Sequence, residues 1–342
     1  MKYRSALQAT SRLTCGLVLL ASHSWYGLQA IAQTNTANYP DKPIKIIVPY
    51  TPGGGTDTVT RRLVERISAD NPKWQFVVDN KAGGGGNIGM ELVAKAKPDG
   101  YTLGMGQAAN LAINPGLLSK MPFDAAKDFT PIALVAEQPM VIVVKADSPW
   151  RTLADMVAAG KAKPNSLRQA LAGTGTVGHL AGELLAKRAG FKALNVPYKG
   201  AAPAITDLLG GQTDYMLATP QAVLGMLQAT PSQPARLKAL AVTSTKRLSI
   251  LPIIPTVAES GFKDFEAVDW KAVVAPAGLP PAIAKSLHAV IESALKNPAF
   301  IAKLADDGSA PMAASQEQSA KYIASEQQMW GALIKEAGIK NE

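Results

Sequence analysis

The pattern of apolar and polar positions predicts that strands and helices alternate along most of the chain. Residues 44–48 are an apolar run of strand length, and apolar residues recur at helical spacing over 57–69. Further strands are predicted at 74–79 and 101–106, with a helix over 91–96 between them. This alternation favours parallel strands joined by helical crossovers, as in an α/β fold.

The alternation continues through the second half of the chain. The predicted strands there are 139–144, 166–171, 194–198, 213–218 and 237–243, and the predicted helices are 153–161, a helix ending at Ala189, 201–209 and 220–228. Residues 244–265 are rich in turn formers, 265–275 are apolar and extended, and 281–295 and 317–333 are amphipathic helices.

Residues 33–342, the predicted mature chain, are about 310 residues long and exceed one typical core, so two lobes are expected. The polar exit of the strand 139–144 suggests the first lobe boundary, and the extended segment 265–275 carries the chain back. We therefore predict two α/β lobes joined by two crossings, with a cleft between them. Lobe 1 is predicted to comprise 33–144 plus 266–342, and lobe 2 to comprise 145–265.

Residues 1–32 have the organisation of a signal peptide. Three basic residues and no acidic one accompany the apolar run 13–21, which is too short to span a bilayer. Small residues at 30–32 fit a cleavage site, so the mature protein is predicted to be periplasmic, with cleavage near Ala32. The alternative is a disordered or amphipathic N-terminal arm.

The composition argues against several function classes. Cys15 is the only cysteine and lies in the predicted signal peptide, so disulfides and cysteine chemistry are excluded from the mature chain. No metal-ligand spacing surrounds His179 or His288, and nothing argues for a catalytic group. Without the three basic residues of the signal peptide, the formal charge of +9 becomes +6. Because the basic residues are dispersed, this excess suits an anionic ligand rather than nucleic acid.

Four loops between a strand and a helix are candidates for holding that anion, at 51–57, 82–89, 173–178 and 196–203. Glycines expose backbone N–H groups, and the start of a helix is the positive end of its dipole. The second loop also matches G-x-G-x-x-G, but it follows the second strand and no acidic residue is placed to bind a ribose, so no cofactor is predicted.

Each loop also has an ordinary structural interpretation. Asp57 either faces the cleft or caps its helix and pairs with Arg61 one turn later. His179, at a helix start, would stay neutral and either contacts the ligand or packs in the interior. Tyr198 can offer a wall and a hydroxyl group, while Lys199 is either a ligand contact or an exposed lysine.

Several motifs occur in an order that resembles a known family. They include Pro49-Tyr50-Thr51-Pro52-Gly53-Gly54, Gly85-Gly86-Asn87-Ile88-Gly89, Pro98-Asp99-Gly100-Tyr101-Thr102-Leu103, Val196-Pro197-Tyr198-Lys199-Gly200 and Ala275-Pro276-Ala277-Gly278. On these motifs the chain resembles the Bug family of periplasmic substrate-binding proteins, the substrate-binding component of tripartite tricarboxylate transporters. The resemblance covers essentially the whole mature chain. Departures at Ile253 and at Lys271, which is expected near the second crossing at the rim of the cleft, leave ligand specificity open.

The resemblance implies a two-lobed, type II-like "Venus flytrap" that closes around a small carboxylate and performs no chemistry on it. The ligand is a mono-, di- or tricarboxylate, aromatic ones included, and the partner is a transporter with two membrane subunits. The ligand-binding residues implied or suggested are Tyr50, Thr51, Pro52, Gly53, Gly54, Asp57, Gly86, Asn87, Gly89, Gly173, Thr174, Gly175, Thr176, His179, Tyr198 and Asp214. We expect a monomer without a metal. A ligand-loaded sensor or adaptor and an exported enzyme are the alternatives.

Overall fold

Two β-sheets organise the chain, whose computed structural model describes residues 38–229, 233–337 and 339. The predicted signal peptide lies outside these residues. The strands are β1 (Ile44–Val48), β2 (Phe76–Asn80), β3 (Thr102–Gln107), β4 (Phe129–Pro139), β5 (Val141–Lys145), β6 (Leu167–Leu171), β7 (Ala193–Pro197), β8 (Tyr215–Ala218), β9 (Leu237–Val242), β10 (Val268–Pro276) and β11 (Ala310–Pro311).

Helices connect and cover these strands. They are α1 (Gly55–Asp70), α2 (Asn87–Ala94), α3 (Asn114–Leu117), α4 (Leu153–Ala162), α5 (Val177–Ala189), α6 (Ala201–Leu209), α7 (Pro220–Leu227), α8 (Pro281–Leu295), α9 (Pro298–Ala305) and α10 (Gln316–Ala337). A turn of π-helix, Ala109–Ile113, precedes α3. On α1, Val59, Leu63 and Ile67 recur every four residues and are buried, which gives this helix the apolar stripe that the sequence predicts.

The first sheet has the strand order β11-β4-β10-β3-β1-β2. Its first strand, β1, is parallel to both of its neighbours, whereas β10 runs antiparallel to β3 and β4. Ile44, Ile46 and Val48 are almost completely buried, as expected for a strand that is covered on both faces. Because of these strand directions, the carboxyl ends of β1, β3 and β4 and the amino end of β10 meet at one edge of the sheet.

The second sheet has the order β7-β6-β8-β5-β9. Its parallel strands β7, β6 and β8 alternate with helices, and β5 runs antiparallel to β8 and β9. The carboxyl ends of β6, β7 and β8 therefore share an edge with the amino end of β5. Ligands of open α/β sheets bind outside the carboxyl ends of the strands, so this edge and its counterpart in the first sheet are where a site is expected.

Two segments carry the chain between the sheets, and they are tied together at Thr243. The first passes through Met140, between β4 and β5, and the second follows β9. The backbone N–H of Met140 donates to Thr243 Oγ1 at 2.8 Å, and Thr243 Oγ1 donates to Ala267 O at 2.6 Å. Both crossings thus run side by side, which supplies a compact connection of the kind that a hinge requires.

The predicted boundary after residue 144 does not coincide with the change of sheet. The strand β5 already belongs to the second sheet, so the change comes at Met140. Residues 140–144 are all apolar, and the periodicity therefore gives no sign of a crossing there. Four elements are also absent from the sequence prediction: α9, the short strand β11, most of β4, and the helical segment through α3. In that segment Asn110 and Asn114 are completely buried, which interrupts the apolar spacing.

Candidate functional site

A cavity lies between the facing edges of the two sheets. It is lined by Tyr50, Gly54, Gly55, Gln107, Met140, Ala172, Thr176, Val177, Gly178, Ala201, Met216, Leu217, Ala218, Thr219 and Asp269. The centres of water molecules can occupy about 50 Å³ of it, which is room for a few waters. Its walls come from both sheets, so a molecule inside would contact both.

Four helices begin at this cavity, one on the side of the first sheet and three on the side of the second. Gly54 and Gly55 begin α1, Thr176 precedes α5, Ala201 opens α6 and Thr219 precedes α7. The first N–H groups of a helix have no partner within the helix, and the dipole makes this end positive. Among the described residues, no partner is found for the N–H groups of Gly54 and Gly55. The arrangement can hold an anion without a formal positive charge.

Two threonines at these helix starts differ in how their hydroxyl groups are used. The Thr176 Oγ1 atom accepts from the N–H of His179 at 3.3 Å and donates to Gly173 O at 2.9 Å. By contrast, Thr219 Oγ1 is buried and has no partner among the described residues. A buried unpaired hydroxyl is costly, so Thr219 is a ready hydrogen-bonding group for whatever fills the cavity.

The first glycine loop reaches the cavity with Tyr50 and Gly54, while Pro52 and Gly53 are exposed. Tyr50 is buried, and its Oη donates to Gly85 O at 2.7 Å. Burial, followed by the nearby charge of Asp269, raises the pKa of Tyr50 well above its ordinary value, so its hydroxyl stays protonated. Tyr50 thus joins the first loop to the second and forms one wall of the cavity.

Asp57 lies in the first turn of α1 and pairs with Arg61 one turn later, as its position suggests, but the residue that caps the helix is Gly54. Its carboxylate accepts from the N–H of Gly53 at 3.0 Å, from Arg61 Nε at 3.0 Å and from Asn80 Nδ2 at 2.9 Å. Burial alone would raise the pKa of Asp57, but these three donors outweigh it and lower the pKa. The carboxylate is fully engaged and does not line the cavity, so its contribution is to fix the turn before α1.

The second and third glycine loops contact each other, and of the two only the third also lines the cavity, through Thr176, Val177 and Gly178. A Cβ atom placed on Gly85 would lie 2.2 Å from the carbonyl oxygen of Thr174, and one on Gly173 would lie 3.2 Å from Gly85 Cα. Of the predicted residues, Gly86 and Gly89 pack within their own side of the molecule, against Tyr50 and Pro49 respectively. This close approach of two backbones joins the two sides of the cleft.

Asn87 and Gly175 belong to the same junction. Asn87 Oδ1 accepts from Asn114 Nδ2 at 3.0 Å, and a Cβ atom on Gly175 would lie 1.7 Å from Asn114 Oδ1. A similar approach brings Thr51 against Gly200, since a Cβ atom there would lie 2.1 Å from Thr51 Oγ1. The glycines at these positions are therefore required for the two sides to meet, and the predicted role in ligand binding is not evident from their contacts.

His179 is a packed, neutral histidine. Its Nδ1 accepts from the N–H of Gly175 at 3.2 Å, and its Nε2 lies 3.4 Å from Asn195 Nδ2. Burial lowers the pKa of His179, because the charged form would lose its hydration. The side chain braces the third loop from inside and does not line the cavity.

Tyr198 lies in a second, outer groove. Its Oη donates to Asp207 Oδ2 at 2.6 Å, and burial together with this bond raises the pKa of Tyr198 to about 12. The centres of water molecules can occupy about 520 Å³ of this groove. It is lined by Gly84, Gly85, Asn87, Ile88, Glu91, Leu118, Pro122, Gly173, Thr174, Pro197, Tyr198 and Lys199. Both sides of the junction contribute to it.

Asp214 does not belong to the site. It precedes β8 at the edge of the second sheet opposite the cavity, and its carboxylate binds Arg168 through contacts of 3.0 Å to Nε and 2.9 Å to a terminal nitrogen. The backbone N–H of Arg168 donates to the same carboxylate at 2.8 Å. The prediction that Asp214 touches a ligand is therefore not supported, since a strand separates it from the cavity.

Three polar side chains of the cavity were not anticipated from the sequence: Gln107, Thr219 and Asp269. Gln107 ends β3 and accepts from Thr56 Oγ1. Asp269 and Lys271, near the start of β10, form a buried ion pair. The sequence signal that could have revealed this pair is the occurrence of two charged residues inside an apolar strand. Lys271 is not at the rim of the cleft, where the sequence placed it, because its side chain is completely buried.

Side-chain hydrogen bonds also cross the cleft. Gln221, on α7, donates through Nε2 to Gln138 Oε1 at 2.7 Å, and also to Ser309 Oγ. Gln138 Nε2 and Gln221 Oε1 are buried without partners among the described residues. The two sides are thus in contact around the cavity, with polar groups still unpaired beside it.

Neither a metal site nor a membrane-crossing helix occurs among the described residues. No cluster of three or more His, Cys, Asp or Glu side chains with the geometry for a metal ion is found in that part of the chain. None of the helices there combines the length and apolarity needed to cross a membrane.

Sequence comparisons identify similar proteins over most of the chain. A family model described as "Tripartite tricarboxylate transporter family receptor" matches residues 60–339. The chain is 36% identical over 310 residues to Protein BugT of Bordetella pertussis, a match that covers 90% of this chain and 93% of that protein.

Solved structures share the same fold. The periplasmic binding protein BugD is 34% identical with a TM-score of 0.83, over 89% of this chain and 100% of BugD. R. palustris Rpa4515 with adipate is 33% identical with a TM-score of 0.83, over 88% and 99%. MatC from Rhodopseudomonas palustris with bound malate is 28% identical with a TM-score of 0.78, over 86% and 100%. The predicted α/β periplasmic binding protein fold is confirmed.

Proposed function

Because the chain belongs to the family of tripartite tricarboxylate transporter receptors, we propose that it captures a small organic carboxylate in the periplasm and delivers it to a membrane transporter of this type. The family consists of binding proteins that serve transport, not of enzymes. The proposed mechanism is differential binding: a ligand that contacts both lobes shifts the equilibrium toward the form in which they meet.

One observation carries the proposal of a carboxylate. Four helices begin at a single cavity, and the N–H groups of Gly54 and Gly55 and the hydroxyl of Thr219 are available there. Such groups bind anions while avoiding the burial of a full counter-charge. The adipate and malate in the two related structures support the same ligand class.

The outer groove supports delivery rather than capture. Because Glu91 lies on one side of it and Lys199 on the other, its shape depends on the contact between the two sides. A membrane subunit that binds this groove would distinguish the loaded protein from the empty one. The exposed Ile88 and Leu92 on the adjacent face of α2 add apolar surface to this side.

The ligand class is tested by thermal shift and calorimetry against mono-, di- and tricarboxylates, including aromatic ones. Ligand at 100 times its Kd stabilises the folded state by about 2.7 kcal/mol, which is a clear rise in Tm. Amines and neutral sugars of similar size serve as controls. If no carboxylate in the panel raises Tm or gives heat of binding, the proposal is wrong.

Export and association need separate tests. We propose that residues 1–32 are removed near Ala32, and that the mature protein is a periplasmic monomer. Mass spectrometry of the protein from a periplasmic extract should give the mass of a chain beginning at Gln33, and light scattering should give one chain per particle. Pull-down with and without a bound carboxylate then distinguishes a transporter partner from the membrane receptor expected of a sensor.

A further inference from the structure

A buried charged pair borders the cavity at the start of β10. Asp269 and Lys271 are two residues apart on a strand, so their side chains project to the same face. Lys271 Nζ donates to Asp269 Oδ2 at 3.0 Å, and the side chains of Lys271 and Asp269 are only 0% and 6% exposed respectively. Asp269 lines the cavity, whereas Lys271 lies behind it. Burying such a pair is expensive, because both ions lose their hydration.

The pair leaves one carboxylate oxygen unused. Asp269 Oδ1 is buried and has no hydrogen-bond partner among the described residues. The nearby donor Tyr50 Oη is already bonded to Gly85 O at 2.7 Å. An acceptor of this kind carries a large desolvation penalty, which a donor inside the cavity would relieve.

The acceptor character of Oδ1 does not depend on where the shared proton lies. Burial raises the pKa of Asp269 and lowers the pKa of Lys271, since each charge loses hydration. A proton that moves between these groups stays on the Oδ2···Nζ contact. In either arrangement Oδ1 offers lone pairs and no hydrogen.

The backbone groups at the start of α1 have the opposite character. The N–H groups of Gly54 and Gly55 are donors, and Asp269 is the single charged residue among those that line the cavity in the described chain. A simple carboxylate satisfies the donors but would place a second acceptor beside Asp269. A ligand with a hydrogen-bond donor as well as a carboxylate satisfies both the N–H groups at the start of α1 and the acceptor Asp269 Oδ1.

Building on the proposed function, we infer that the ligand is a carboxylate that also carries a hydroxyl or ammonium group, and that this donor binds Asp269 Oδ1. Asp269 is then the residue that determines specificity, and Lys271 positions its carboxylate. The ligand's own carboxylate takes the N–H groups at the helix starts. Hydroxy acids and amino acids share this chemistry, and simple acids of the same skeleton lack it.

The test compares acids that differ only in the donor. The purified protein is titrated calorimetrically with three matched sets: succinate, malate and aspartate; propionate, lactate and alanine; and phenylacetate, mandelate and phenylglycine. In every set that binds, a donor-bearing member should bind at least about tenfold tighter than the simple acid, equivalent to about 1.4 kcal/mol. Whether the hydroxyl or the ammonium member is preferred identifies the donor.

A matched pair of variants assigns the preference to Asp269. Asp269→Asn should reduce the donor preference to less than about threefold, while Asp214→Asn, at the opposite edge of the sheet, should leave it unchanged. Because the first change leaves Lys271 as a buried unpaired cation, the double variant Asp269→Asn with Lys271→Met is measured as well. The ratio of two Kd values on one variant does not depend on that variant's stability.

Two outcomes overturn the inference while leaving the proposed function intact. In the first, the simple acid binds as tightly as its donor-bearing partners, which would mean that water serves Oδ1. In the second, the donor preference survives in both Asp269 variants. If no carboxylate in these sets or in the wider panel binds, the proposed function itself fails and this inference fails with it.

Discussion

Gly85 offers a direct test of whether the two glycine loops must meet when a ligand binds. A Cβ atom at this position would lie 2.2 Å from the Thr174 carbonyl oxygen, and Cβ atoms essentially never approach another atom within 3.0 Å. The obstacle is backbone, which cannot rotate away as a side chain could. Gly85→Ala should therefore hold the two sides apart by the better part of an ångström.

Two separate costs of Gly85→Ala can be estimated. Overpacking at a close contact costs about 1–3 kcal/mol, which corresponds to a loss of affinity of about 5- to 150-fold if binding requires the contact. Gly85 also has φ +64°, and an alanine in that region costs about 1–2 kcal/mol. The second cost is present with the two sides together or apart, so it lowers Tm without changing Kd.

Gly211→Ala is the matched control, because it carries the backbone cost without the clash. Gly211 has φ +73°, and nothing lies within 4 Å of the position that a Cβ atom would occupy there. Affinity is measured calorimetrically with the carboxylate that binds wild type most tightly. Spin labels on Glu91→Cys and Lys199→Cys report the separation across the outer groove, and the predicted mature chain has no cysteine of its own.

We expect ligand to shorten the label distance in wild type and Gly211→Ala but not in Gly85→Ala. Wild-type affinity together with normal shortening in Gly85→Ala would refute the reasoning, because the loops could not then be in contact around the ligand. An equal loss of affinity in both variants would instead show that the clash with Thr174 is not the cause of the loss.

Three further predictions concern the residues around the cavity. Since burial lowers the pKa of His179 below its ordinary 6.5, the unfolded chain takes up the proton first; stability should fall as pH drops through about 6.5 toward the folded pKa, and His179→Gln should flatten that decline in calorimetric Tm. Asp214→Asn should cost about 1 kcal/mol or less in denaturant unfolding and leave Kd unchanged, since its partner Arg168 is far from the cavity. Gly54→Val should weaken carboxylate binding at least about tenfold with little change in Tm, because φ −80° accepts a side chain that would enter the cavity; loss of stability with unchanged affinity would contradict it.

Much of the fold could be predicted because its signals are local. The apolar run 44–48 predicted β1 to the residue, and the helix 281–295 likewise matches α8. The first glycine loop was also correctly placed before a helix, and Tyr50 and Gly54 do line the cavity. An apolar run that ends in glycines specifies a strand, a turn and a helix start without reference to the rest of the chain.

Side-chain direction was the part that local signals could not supply. Asp57, His179 and Asp214 all have suitable chemistry, yet each is engaged by protein partners. For Asp57 the spacing to Arg61 was a local warning, since residues four apart on a helix face each other. For Asp214 the partner Arg168 is on another strand, and only the pairing of β6 with β8 brings the two together.

The charged pair on β10 could have been recognised from the sequence, but its role could not. Asp269 and Lys271 interrupt a segment predicted to be apolar and extended, and their spacing places both side chains on one face. A buried strand rarely carries charge, so this pattern already indicated either a pocket or a structural ion pair. Choosing between them requires the register, which puts Asp269 opposite Gln138 and Lys271 opposite Gln107, beside the start of α1. That register depends on strands more than a hundred residues apart in the chain. From the sequence, Lys271 was expected at the rim of the cleft, whereas in the folded protein it is buried behind Asp269 and does not line the cavity. The identity of the ligand therefore depends on a contact that only the tertiary fold creates.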